Sequence, residues 1–154
     1  MRAEFVNPFL QAASEVLETE LGSEPTRGAI GVRRSAYTTE EVTAVVQVTG
    51  GSIAGIVMYG MPEKTACAIV QHLQGSPCEK FDDLAQSGIS ELGNVITGRA
   101  TSLLAEAGFP SRLAPPLLML GRGRMVSQDD QQRLVIPLET PMGPINIQVV
   151  LITR

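Results

Sequence analysis

The chain has 154 residues, with 12 Lys and Arg against 16 Asp and Glu for a net charge of −4; it is 44% apolar, 18% charged and 4% aromatic. That is one-domain size with enough apolar residues for a self-sufficient core. Ten scattered Arg, two Lys and no Trp argue against a nucleic-acid groove or a base-stacking platform. The single His leaves a histidine metal site or a Ser-His-Asp triad to be built around His72 alone.

The N-terminal stretch lacks a signal-type apolar run, because Asn7, Pro8, Gln11 and Glu15 interrupt it. No window approaches the roughly 18 apolar residues of a membrane span, so a cytoplasmic location away from membranes is expected. Cys67 and Cys78 fit neither C-x-x-C nor a zinc knuckle and read as two free, buried or half-buried thiols.

In chain order, residues 7–21 carry Phe9, Leu10, Ala13, Val16, Leu17 and Leu21 at three-four spacing, which predicts an amphipathic helix. Asn7 followed by Pro8 reads as its N-cap and first position, and Gly22 as its stop. Strands are expected at 29–37, 42–48 and 52–59, the last two joined as an antiparallel hairpin by Gly50-Gly51. A short helix follows from Pro62-Glu63 to Gln74, then a break at Gly75-Ser76-Pro77 and a long helix over 82–107. Strands are expected again at 112–120, 134–139 and 144–152, with an exposed polar loop at 121–132 and a turn at 140–143. Nothing marks a boundary, so residues 1–154 read as one α+β domain with helices laid on a largely antiparallel sheet. The repeated order of helix and strands hints at a degenerate internal duplication.

On a helical wheel the long helix gathers Ala85, Ile89, Leu92, Ile96, Leu103 and Ala107 on a core-facing side. Opposite runs the stripe Ser87, Glu91, Asn94, Gly98, Thr101. A solvated face is normally filled by good helix formers, whereas Gly98 costs about 1 kcal/mol relative to Ala. Two readings are open: the small residues admit a partner surface, or they seat a neighbouring element of the same domain.

The run Ser87-Gly88-Ile89-Ser90-Glu91-Leu92-Gly93-Asn94-Val95-Ile96-Thr97-Gly98 resembles the signature helix of the CheC/CheX/FliY chemotaxis phosphatases. A helix opening with Val6-Asn7, the turn Thr49-Gly50-Gly51 and the pair Pro115-Pro116 entering a strand resemble the CheX branch. The resemblance implies a CheC-like fold and hydrolysis of the aspartyl phosphate of a CheY-like response regulator. It also implies that Asn94 orients the attacking water and that Glu91 pairs with the regulator's lysine. Ser87, Glu91, Gly98 and Thr101 would then form the partner-binding surface. No cofactor is expected in this chain; the Mg²⁺ would sit on the partner. Asn94 has no proton-accepting group at neutral pH, so positioning rather than general-base catalysis is what it can supply. Homodimerisation is implied too.

Other candidates weigh less. Glu4 and Asn7 repeat the E-x-x-N spacing, but with Asn7 as N-cap Glu4 would fall outside the helix. Asp83 stands eight residues from Glu91, about 12 Å along a helix, too far for a carboxylate pair. His72 reads as solvated or half-buried and Arg122 and Arg124 as part of a solvated loop, and Gly121-Arg122-Gly123 lacks the helix start of a phosphate cradle. The rival to a phosphatase is a non-catalytic receiver-binding or scaffolding module of the same fold. A third reading is a structural dimer module, pairing through strand 42–48 if that strand lies at an edge.

Overall fold

The computed structural model describes residues 3–127 and 130–153. Its elements are α1 (Ala3–Leu21), β1 (Thr26–Arg27), β2 (Gly31–Ser35), β3 (Val42–Gly51), β4 (Ile53–Met61), α2 (Glu63–Gln74) and α3 (Asp83–Glu106). They continue with β5 (Ser111–Leu113), β6 (Leu117–Leu120), β7 (Gln131–Thr140) and β8 (Gly143–Thr153). All eight strands join one antiparallel sheet in the order β1-β7-β8-β4-β3-β5, with β2 also on β7 and β6 also on β3.

This order carries the expected duplication in its topology. The long hairpins β3-β4 and β7-β8 meet at β4 and β8, and each half's short strands cross to the other half's hairpin. Thus β1 and β2, which follow α1, flank β7, while β5 and β6, which follow α3, flank β3. The two long helices pack together, and Arg99 on α3 meets Glu15 on α1 at 2.8 Å. Hydrogen bonding by Arg99 and by Gln11 holds the Glu15 carboxyl below its ordinary range.

Strand periodicity divides the sheet into two faces. Val42, Ala44, Val46 and Val48 of β3, Val57 and Tyr59 of β4, and Ile145, Ile147 and Val149 of β8 are buried in the main core with the helices. On the opposite face a polar ladder holds the segment 35–41. Buried Arg133 donates to Gln148 at 2.8 Å and to the Ser35 carbonyl at 2.9 Å, and Asn146 donates to Glu40 at 2.7 Å.

Several expectations change. The first helix starts no later than Ala3, so Asn7 is not its N-cap and Pro8 lies within it. Burial of Phe5 and Val6 accounts for the extension, the Phe5 ring standing edge-on to Phe109 at 5.1 Å. Pro8 has no amide proton for the Glu4 carbonyl and its ring crowds that carbonyl, so the turn ahead of it is held by packing rather than by helix propensity. The strand expected at 29–37 shortens to β2, with β1 as a separate piece, and that expected at 112–120 divides into β5 and β6 at Pro115-Pro116.

The hairpin forms as expected, with Gly50 at φ +64° and Gly51 at φ +103°. A Cβ on Gly51 would collide with the Pro110 carbonyl. Strand β3 lies between β4 and β5/β6, so 42–48 is no edge and cannot pair with a second copy there. The polar loop is shorter than expected, since β7 begins at Gln131; residues 128 and 129 lie outside the described residues. It is also tethered: Thr38 donates to the Gly121 carbonyl at 2.9 Å, and Tyr37 bridges to Met125. Cys67 and Cys78 are free and half-buried; burial and the neighbouring Cys78 thiol push Cys67 up to about 11.

Candidate active site on the central helix

Helix α3 starts where Asp82 accepts a hydrogen bond from the Ala85 amide at 3.0 Å. Such a cap contributes about 1 kcal/mol and fixes the helix's first turn. Its buried side consists of Ala85, Ile89, Leu92, Gly93, Ile96, Thr97, Ala100 and Leu104. Leu103 is half-buried and Ala107 lies exposed past the helix end, so Leu104 takes the place expected of Ala107.

With that face inward, Glu91 is exposed and Asn94 half-buried on the outer side. Three residues of helix separate them by about 4.5 Å along the axis and about 60° around it. Neither side chain has a hydrogen-bond or ion-pair partner among the described residues. Two polar groups close together on a rigid element, with no partner among the described residues, are open to solvent or to an outside partner.

The rest of the stripe divides. Ser87 is exposed, without a hydrogen-bond partner among the described residues, and joins Asp83, Ser90, Glu91, Pro116 and Leu118 around an open groove of about 530 Å³ between α3 and β6. Thr101 instead turns its hydroxyl onto the Gly98 carbonyl at 3.0 Å. A Cβ on Gly98 would find Leu113 Cδ1 at 4.0 Å, an ordinary contact, so packing within the chain does not demand glycine there.

Gly93 is the reverse case. A Cβ there would stand 3.1 Å from Tyr59 Cδ2 and 3.2 Å from Ala44 Cβ, closer than such atoms normally sit. Gly93, which lies outside the stripe, seats α3 on the sheet, while Gly98 leaves room beside it.

Sequence reasoning missed Gly93, Thr97 and Tyr59. Thr97 donates to the Gly93 carbonyl at 2.7 Å, and its oxygen lies 2.7 Å from the Tyr59 hydroxyl. A Thr on the core-facing side of an otherwise apolar wheel was the one available signal. Glu4 and Asn7 are both exposed on α1, so the ground for setting them aside, that Glu4 lies outside the helix, does not hold.

Among the described residues no group of three or more His, Cys, Asp or Glu could hold a metal ion. His72 is exposed in the last turn of α2. Arg124 donates to the Leu120 carbonyl at 2.9 Å, and Arg122 is exposed beside Glu41 and Glu63. No helix among the described residues is long and apolar enough to cross a membrane.

A family model described as chemotaxis phosphatase CheX matches residues 42–139, from β3 through nearly all of β7. The chain belongs to the CheX family. It is 30% identical over 123 residues to the CheY-P phosphatase CheX of Thermotoga maritima, covering 79% of each chain. Its fold matches a CheC-like superfamily protein from Shewanella with a TM-score of 0.86 at 24% identity, over 99% of both chains. It also matches the CheX-CheY-BeF3-Mg²⁺ complex from Borrelia burgdorferi, with a TM-score of 0.82 at 26% identity, over 97% of this chain and 99% of the other.

Proposed function

We propose that this chain hydrolyses the aspartyl phosphate of a CheY-like receiver, with Asn94 aiming the attacking water and Glu91 docking to the receiver's lysine. The observation that carries the reading is the pair itself: Glu91 and Asn94 stand one turn apart on the outer face of α3, unpartnered among the described residues. The Borrelia relative, solved with CheY, BeF3 and Mg²⁺, supports it by the company that fold keeps.

Phosphoryl transfer depends on alignment and charge stabilisation more than on covalent help from the enzyme. The carboxamide of Asn94 offers an acceptor and two donors, enough to hold a water in line with phosphorus without taking its proton. Fixing that water lowers the entropic part of the barrier. Phosphate, Mg²⁺ and lysine arrive on the receiver, in the cytoplasm. The exposed Glu91 carboxylate serves as the anchor, forming a charge-assisted pair with that lysine. Ser87 and Gly98 give the receiver access above and below, and Thr101 closes the stripe.

Residues 1–154 act as one domain in this reading. A homodimer accompanies it, on the exposure of the large apolar residues Val32, Leu117 and Ile152; the mass in solution tests that part. The activity is tested by following decay of a phosphorylated receiver with and without catalytic amounts of the protein. Acceleration is expected; tight binding without acceleration would instead identify a scaffolding module.

A further inference from the structure

Asn94 must present its amide in a fixed direction, yet the residue before it has no side chain with which to lock the helix against the sheet. The wall opposite Gly93 is the Tyr59 ring and Ala44. The hydroxyl chain described above ends on the Gly93 carbonyl. That carbonyl belongs to the same planar peptide unit as the Asn94 amide nitrogen.

The donor order in the chain follows from counting protons. Thr97 has a single hydroxyl proton, and the bond to Gly93 uses it. The 2.7 Å contact to Tyr59 must therefore be donated by the phenol. Both side chains are buried, Thr97 at 0% and Tyr59 at 2% exposure, so no water can substitute without rearrangement. Tyr59 itself is set by the sheet, opposite Ala44 on β3 and Ile147 on β8. A continuous path thus runs from the middle of the sheet through two hydroxyls to the peptide plane from which Asn94 departs.

We infer that Tyr59 and Thr97 are positioning residues for Asn94, a buried hydroxyl relay that fixes the direction of the water-holding amide. The inference rests on the phosphatase reading for its effect on turnover, and on geometry alone for its effect on Asn94. Burial without need of positioning would be met equally well by Val at 97 and Phe at 59. The polar pair spends two desolvated hydroxyls where apolar side chains would pack, and the carbonyl it reaches is the one adjoining Asn94.

The test uses the full chain with Tyr59→Phe, Thr97→Val and Thr97→Ser. Three quantities are read for each: kcat on a phosphorylated receiver, Kd for the same receiver charged with beryllofluoride and Mg²⁺, and the NMR line shape of the Asn94 side-chain amide. Tyr59→Phe and Thr97→Val should lower kcat about tenfold or more, since small misplacements of a reacting group are costly in rate. Kd should stay within twofold and the Asn94 amide signals should broaden or double. Thr97→Ser, which keeps the hydroxyl, should restore both kcat and a single sharp signal. Unchanged Asn94 signals and kcat in Tyr59→Phe and Thr97→Val would overturn the relay. A wild-type chain with no turnover would overturn the phosphatase reading, and the amide signals would still judge the relay.

Discussion

Gly93 and Tyr59 face each other so closely that a methyl group on the glycine would come within 3.1 Å of the ring's Cδ2. The helix that carries Glu91 and Asn94 is therefore set against β4 so closely that a Cβ at 93 would require Tyr59 and Ala44 to give by a few tenths of an ångström. Replacing Gly93 by Ala inserts a methyl into a packed contact, for which about 1–3 kcal/mol of destabilisation is usual. Helix propensity favours Ala and returns up to about 1 kcal/mol. Urea denaturation of Gly93→Ala should show a net loss, and turnover should fall as α3 is displaced. A stability equal to wild type would mean that Tyr59 yields without cost.

Burial holds the Tyr59 hydroxyl above its ordinary pKa. A group whose folded pKa is raised contributes stability that is complete below its unfolded value and is lost as pH rises beyond it. Unfolding measured from pH 8 upward should show this loss beginning near pH 10, the ordinary tyrosine value. Tyr59→Phe should flatten that part of the profile. An identical alkaline slope in the variant would show that Tyr59 does not titrate with unfolding.

Ser87 lies between Asp83 and Glu91 on the groove beside β6 and makes no contact that the fold uses. Ser87→Arg should leave the unfolding midpoint nearly unchanged, because exposed helix positions tolerate such changes within about 0.5 kcal/mol. If Glu91 docks to the receiver's lysine as proposed, a bulky cation beside it would compete with that lysine, and like charges facing across an interface cost several kcal/mol. KM should rise about tenfold or more at constant kcat. An unaltered KM would place the receiver away from this groove.

Phe5 anchors the first turn of α1 through its edge-on contact with Phe109. Phe5→Ala should cost about 3–5 kcal/mol, the range for a buried aromatic. Thermal unfolding measures it; a loss below 1 kcal/mol would show that the turn ahead of Pro8 is dispensable.

What could be read from the sequence was local. The three-four spacing of Ile89, Leu92 and Ile96 and the Asp82 cap define α3, so the outer face holding Glu91 and Asn94 follows from the helical period. Gly50-Gly51 likewise announces its hairpin, because positive φ is a property of the residue itself. Asn7-Pro8 misled for the same local reason. It is a good helix start, but burial of Phe5 and Val6 against the core extends the helix beyond it. Tertiary packing overrode the cap signal.

The Tyr59-Thr97-Gly93 chain depends on where β4 sits beneath α3, a pairing of residues 38 apart that no window of sequence contains. The division of 112–120 at Pro115-Pro116 was not anticipated, since one unbroken strand was expected there. The second piece, β6, forms the far wall of the groove beside Glu91.

In the proposed function Asn94 accelerates hydrolysis by holding water and Glu91 holds the receiver. A single assay separates the two: dephosphorylation of a phosphorylated receiver across a range of receiver concentrations, with wild type, Asn94→Ala and Glu91→Ala. Asn94→Ala should lose about 10²-fold or more in kcat with binding nearly intact, the loss expected when alignment goes. Glu91→Ala should raise KM about 30-fold, equivalent to the roughly 2 kcal/mol lower bound for truncating one member of an interfacial charge pair. Near-normal kcat in Asn94→Ala would contradict the account.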